Sequence, residues 1–251
     1  MIEIVVLVMA GLGAGALNAI AGGGTFLSFP ALVWAGVPPV MANATATFAA
    51  LPGYAASAWA YRHDIRTDGQ PTLWQIIAVA IIGGLCGAFL LLVTPEDLFS
   101  GVVPWLLLVA TAAFAGGPSL MRHMARSDRK LSDTLGLGLL LVVAIYGGYF
   151  NGGLGIMLLA ALGIIGMTNL HRMNGLKNLI SAVLSVVSVL TYTLAGLIDW
   201  YGLGIVGVSC AIGGYLGAAL ARRIRNVALL RAFIVTVGLT MTVVFFAYTY
   251  G

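Results

Sequence analysis

Asn18-Ala19-Ile20-Ala21-Gly22-Gly23-Gly24 is echoed some 130 residues later by Gly148-Tyr149-Phe150-Asn151-Gly152-Gly153-Leu154-Gly155. Each glycine run interrupts an apolar stretch, and each is followed by polar residues at similar distances. After the first come Gly36, Asn43, Thr45 and Thr47; after the second come Gly166, Asn174, Lys177 and Asn178. Farther along, Ile82-Gly83-Gly84-Leu85-Cys86-Gly87-Ala88-Phe89-Leu90 aligns without a gap on Ile212-Gly213-Gly214-Tyr215-Leu216-Gly217-Ala218-Ala219-Leu220. An apolar unit written twice, broken by glycine at matching points, is how membrane proteins with two repeats around a central site read in sequence.

The rest of the chain agrees with a membrane setting. Apolar residues make up 61% of it, charged residues only 8%, and the mean hydropathy is +1.04. No Asp, Glu, Lys, Arg or His occurs in 4–61, 69–95, 98–121, 134–170, 178–198, 200–221 or 232–251. Each window reaches the roughly 20 residues that carry an α-helix across a bilayer. The runs lack the polar–apolar alternation of an outer-membrane barrel. The fold class expected is therefore an all-α polytopic membrane protein. Glu3 and the missing basic n-region predict that the first segment is a retained helix rather than a signal peptide.

Clear crossing helices are expected near 40–61, 72–93, 98–117, 173–195, 200–220 and 230–249. Segments 2–35 and 134–166 are too long for one straight span. Basic loops at Arg62–Arg66, Arg122–Lys130 and Arg222–Arg231 are placed in the cytoplasm, and the stretches at Glu3, Glu96-Asp97 and Asp199 outside. That parity makes 2–35 and 134–166 leave and return to the same side, as re-entrant hairpins or pairs of short helices. Two inverted-topology repeats follow, each a glycine-broken segment plus three transmembrane helices. The boundaries are 1–120 for the N-terminal repeat, 121–132 for a basic linker and 133–251 for the C-terminal repeat. Both termini are expected on the non-cytoplasmic face. The tryptophans at 34, 59, 74, 105 and 200 are placed near span ends, and Pro30, Pro38 and Pro39 at helix ends.

Polar residues inside these runs are candidates for a site, because a polar stripe on an apolar helix faces protein rather than lipid. Asn174, Lys177, Asn178 and Ser181 fall at i, i+3, i+4 and i+7, on one helical face, and Asn43 and Thr47 form a similar pair. An intramembrane ammonium beside asparagines suits an anion; the alternative is a lysine snorkelling to the surface near Arg172. The glycine runs would open helix N-termini whose free N–H groups attract anions, or would serve close packing. Asn18 and Asn151 either hold the breaks together or touch a ligand. The substrate-binding candidates are Asn18, Gly22, Gly23, Gly24, Asn43, Thr45, Thr47, Asn151, Gly152, Gly153, Asn174, Lys177 and Asn178. For Ile82–Leu90 and its copy, helix packing is the expected role. Cys86 and Cys210 are read as small packing residues, and His63, His123 and His171 as surface or interface residues.

No catalytic motif is present: no HExxH, GxSxG, Walker loop or paired intramembrane aspartates. An enzyme, a cofactor, a metal and a nucleic-acid partner are all unsupported. The net charge of +4 is accounted for by loop lysines and arginines.

The residues assembled above resemble the TauE/SafE family of membrane permeases, the sulfite-exporter group. The likeness rests on Asn18–Gly24 followed by Pro30-Ala31-Leu32 and Ala42-Asn43-Ala44-Thr45. It continues with Gly148–Gly155, with Asn174-Gly175-Leu176-Lys177-Asn178, and with Gly196-Leu197-Ile198-Asp199-Trp200. The resemblance implies a bacterial inner-membrane, multi-pass carrier, an exporter of sulfite, sulfonates or sulfoacetate. It would work by alternating access, with substrate held between the two broken segments. The alternative is an anion channel, or a permease for another small organic anion. The implied partners are that small anion and membrane lipid, with a homodimer left open. Leu154 stands where the first motif has Gly24, so the two halves are not equivalent cradles.

Overall fold

The computed structural model describes residues 1–20, 23–67, 71–124, 132–221 and 227–250. Those residues form ten helices and no strand: α1 Ile2–Ile20, α2 Thr25–Trp34, α3 Pro39–Ala60, α4 Leu73–Val93, α5 Glu96–Met124, α6 Asp133–Tyr149, α7 Leu154–Ile164, α8 Leu170–Leu194, α9 Trp200–Ala221 and α10 Val227–Tyr250. Five of them (α1, α4, α5, α8 and α9) contain stretches long and apolar enough to cross a membrane. The protein is an all-α polytopic membrane protein.

Local chemistry sets the helix ends. Pro39 opens α3 at its first position, where a missing N–H costs nothing. Thr72 caps α4 in a reciprocal box with Gln75, whose Oε1 accepts the Thr72 N–H at 2.8 Å. Asn169 Oδ1 caps α8 by accepting from the N–H groups of His171 and Arg172. Asp199 Oδ2 caps α9 by accepting the Gly202 N–H at 3.0 Å. Helices α2 and α7 end alike: Gly36 and Gly166 take positive φ angles of 87° and 101°. Val37 N–H then bonds Leu32 O, and Met167 N–H bonds Leu162 O, each closing the last turn.

The glycine breaks resolve the two ambiguous segments. A Cβ at Gly13 would meet Leu27 and one at Gly24 would meet Ala14, so α2 doubles back along α1. Likewise Gly147 lies against Leu154 and Gly136 against Ile165, so α7 doubles back along α6. Each segment is a helical hairpin of unequal arms. At 1.5 Å per residue, α1 with 19 residues is ~28 Å long and α2 with 10 is ~15 Å. The longer arm is thus more than the short helix expected.

Packing repeats across the two halves. The two most extensive helix interfaces are α1 with α9 and α4 with α6, which exchange under the α1–α5 to α6–α10 correspondence. Glycines make both possible. Cβ atoms at Gly83 and Gly87 would collide with Ala144 and with the Ile145 carbonyl, and those at Gly213 and Gly217 with Leu12 and Ala16. The aligned motif of Ile82–Leu90 and its copy is therefore a helix-contact device, as small-residue spacing implies.

Helices α3 and α8 occupy the centre. In α8, 67% of the spanning window is buried, against 28–39% in the other four spans. Helix α3 has 22 residues yet is too polar to count as an apolar span, because Asn43, Thr45 and Thr47 interrupt it and all three are buried. All five tryptophans are exposed, as rings facing lipid or the interface would be. Cys86 is exposed and Cys210 buried.

Three readings need correction. Pro30 is inside α2 rather than at its end. Arg122 and His123 fall within α5, which runs past its expected limit, and Arg231, expected in a basic loop, falls within α10. Trp105 lies in the third turn of α5, not at its end. The basic stretches 125–130 and 222–226, and Gly22, lie outside the described residues.

Candidate functional site

The second break is tied into both central helices. Tyr54 Oη, on α3, donates to Asn151 Oδ1 at 2.9 Å, and Asn151 Nδ2 donates to Ser185 Oγ on α8 at 3.3 Å. The Thr25 side chain, at the start of α2, also approaches the Tyr54 hydroxyl. One buried phenol thus stands between the two glycine breaks. Around it, Asn43 Nδ2 donates to the Tyr149 carbonyl at 2.9 Å, and Tyr146 Oη to the Gly152 carbonyl at 2.8 Å. Tyr192 Oη donates to the Gly148 carbonyl, and Ser188 Oγ to the Gly84 carbonyl. Carbonyls at the end of α6 and in the break lie beyond the helix's own donors and need such partners, whereas the Ser188 contact joins α8 to α4.

Tyr54→Phe should therefore leave the Asn151 amide short of a donor. We expect a loss of about 1–3 kcal/mol in stability, the cost of an orphaned buried acceptor, read as a lower midpoint of thermal unfolding in detergent.

The first break is held differently. Asn18 Oδ1 accepts the Gly24 N–H at 2.8 Å, a staple within the break itself. Gly23 and Gly24 are buried, and a Cβ on Gly24 would run into the Ala14 carbonyl and Asn18. In the second break Gly153 adopts φ +73°, where a side chain is strained, and its Cβ would lie 2.7 Å from that of Ala110. Gly152 packs on the Phe150 ring. At these glycines, close packing accounts for the missing side chains.

The remaining candidates separate into two groups. Thr45 Oγ1 accepts the Asp199 N–H at 3.0 Å, joining α3 to the α8–α9 turn, and Thr47 Oγ1 donates to the Asn43 carbonyl at 2.8 Å. Both hydroxyls are engaged within the protein. Lys177 and Asn178 lie on α8, each 6% exposed, and Asn174 one turn earlier is half-buried. Lys177 is the only charged residue buried among the described residues. No carboxylate pairs with it there, and no group of His, Cys, Asp and Glu among those residues is arranged to hold a metal ion. Among the described residues, three buried polar atoms have no hydrogen-bond partner: Asn43 Oδ1, Thr111 Oγ1 and Ser181 Oγ.

The sequence reading missed Tyr54 and Tyr192, which look apolar in a hydrophobic run. A tyrosine just after Pro52-Gly53, inside a predicted span, is the one local signal that marks Tyr54.

Apolar helices enclosing a polar seam, with a buried cation on the most enclosed helix, define a polytopic membrane protein of the transporter class. The chain belongs to the sulfite exporter TauE/SafE family, whose model matches residues 7–245. It is 31% identical over 234 residues to a "Probable membrane transporter protein" of Haemophilus influenzae, covering 90% of this chain and 88% of that one. It is 27% identical over 237 residues to the "Probable membrane transporter protein YfcA" of Escherichia coli K12, covering 91% and 84%. A third relative, the "Probable membrane transporter protein ORF9" of a Sinorhizobium species, is 26% identical over 219 residues, covering 84% and 78%. No solved structure matches the chain.

Proposed function

We propose that this membrane transporter is a secondary carrier that exports small sulfur-containing oxyanions, sulfite or organosulfonates, across a bacterial inner membrane. The observation that carries the reading is Lys177, a buried cation with no protein counter-ion among the described residues, on the helix most enclosed by the bundle. Burial without a counter-ion disfavours such a charge, and a visiting anion would offset that cost. The family's description as a sulfite exporter supplies the class of visitor. Substrate would bind α8 beside Lys177, Asn178 and Asn174, about two turns before Ser185, which holds Asn151.

The five-helix repeats and their exchanged interfaces favour inverted halves that rock about this site to give alternating access. With five elements per half, the second half starts on the opposite face. An even total puts both termini on one side, and a cytoplasmic basic loop at Arg62–Arg66 makes that side the outer one.

Counterflow in proteoliposomes tests the mechanism. Vesicles loaded with unlabelled sulfite should accumulate labelled sulfite transiently, with saturable kinetics. An ohmic current without counterflow would instead assign a channel.

A further inference from the structure

Resting on the oxyanion reading above, we infer that Ser181 is the second donor of the anion site and that the Lys177–Ser181 pair selects monovalent oxyanions over divalent ones. Ser181 is four residues beyond Lys177, on the same face of α8, and is fully buried. Side chains on a helix lean toward its N-terminus, so the Ser181 hydroxyl lies over the turn that carries Lys177.

The hydroxyl is exceptional within its own stripe. Ser185 Oγ accepts from Asn151, Ser188 Oγ donates to the Gly84 carbonyl, and Thr191 Oγ1 donates to the Val187 carbonyl one turn back. Ser181 Oγ takes neither its own i−4 carbonyl nor any side chain. A serine in a helix can satisfy itself on that carbonyl, and Ser185 and Ser188, which do not, have other partners. A buried polar atom that forgoes it asks for a partner beyond the chain's own groups.

What is missing at this face, among the described residues, is a counter-ion. Lys177 offers up to three N–H donors and Ser181 one O–H, and among the described residues no carboxylate or other counter-ion sits there to receive them. An oxyanion with several oxygens on one centre meets both donors at once. The charge count limits which oxyanion. One ammonium balances one negative charge; a second would be buried without compensation, which costs several kcal/mol in a low-dielectric interior. A sulfonate, or sulfite carrying its one proton, fits this site, whereas sulfate does not.

The test is equilibrium binding of methanesulfonate and of sulfate to purified wild type, Ser181→Ala, Ser181→Cys and Lys177→Ala, with the unfolding midpoint of each ligand-free protein. Since the Ser181 hydroxyl has no internal partner, Ser181→Ala should unfold at the wild-type temperature yet bind methanesulfonate roughly tenfold to hundredfold more weakly. Ser181→Cys, nearly isosteric but a poor donor, should weaken binding likewise. Wild type should bind sulfate at least tenfold more weakly than methanesulfonate.

Unchanged binding in both Ser181 variants while Lys177→Ala loses it would overturn the Ser181 assignment and leave the carrier reading standing. A marked drop in the unfolding midpoint of ligand-free Ser181→Ala would assign the hydroxyl a structural partner and likewise overturn it. Equal binding of sulfate would overturn the charge selection. Unchanged binding in Lys177→Ala would bring down the oxyanion reading itself.

Discussion

Lys177→Ala is expected to lower the specificity constant for sulfite flux in proteoliposomes by roughly a hundredfold or more, with protein yield and insertion preserved. Removing the charged member of a desolvated charge–ligand contact costs about 2–5 kcal/mol, and each ~1.4 kcal/mol is a factor of ten. The direction of the stability change separates this from general damage. Among the described residues Lys177 has no counter-ion to leave stranded, so removing it relieves an uncompensated buried charge. The ligand-free variant should be at least as stable as wild type. Lys177→Arg keeps the charge, but the planar guanidinium does not reproduce a compact ammonium in the same enclosed space. It should retain part of the flux, with a raised KM. A snorkelling lysine would give a different pattern: both variants would transport normally and only membrane orientation would respond.

The second large effect is expected at the helix contacts. Gly87→Leu should destabilise the protein by more than ~3 kcal/mol, seen as loss of a monodisperse species in detergent and a collapse of the unfolding midpoint. Even the first added carbon would enter the Ile145 carbonyl of α6, and backbone cannot move aside as a flexible side chain can. The repeat gives the same expectation for Gly213→Leu, whose Cβ would strike the Leu12 carbonyl of α1. Gly204→Ala, set against Gly87→Ala, is the matched control. It lies on α9 with nothing within 4 Å of an added Cβ, and its stability should stay near that of wild type. Without a hydrophobic driving force between helices in lipid, such close backbone approach is a main source of cohesion.

How much of this was legible in the sequence depends on the range of the interaction. Glycine breaks act on the backbone locally, so the two interrupted segments, their matching ends at Gly36 and Gly166, and the α4 and α9 contact motif could all be read directly. The unequal arms of the hairpins could not. Residues 4–61 carry no charge to mark where α1 stops or α2 turns back. Among polar residues, spacing placed Lys177, Asn178 and Ser181 on one face of α8. It could not distinguish a hydroxyl with a partner from one without.

The asparagines show the limit most sharply. Asn18 and Asn151 occupy like positions beside the two breaks. Asn18 bonds Gly24, six residues away, whereas Asn151 is held by Tyr54 from 97 residues away and by Ser185 from 34. Thr45 meets Asp199 across 154 residues. Those pairings arise only when α3 and α8 pack together, and no local pattern announces them.

The role of Lys177 is decided by saturation binding of radiolabelled sulfite to purified wild-type protein and to Lys177→Ala, at equal concentrations in the same detergent. One saturable site per chain is expected in wild type and none measurable over the same range in the variant. Equal, saturable binding by Lys177→Ala would contradict that role and move the anion site away from α8.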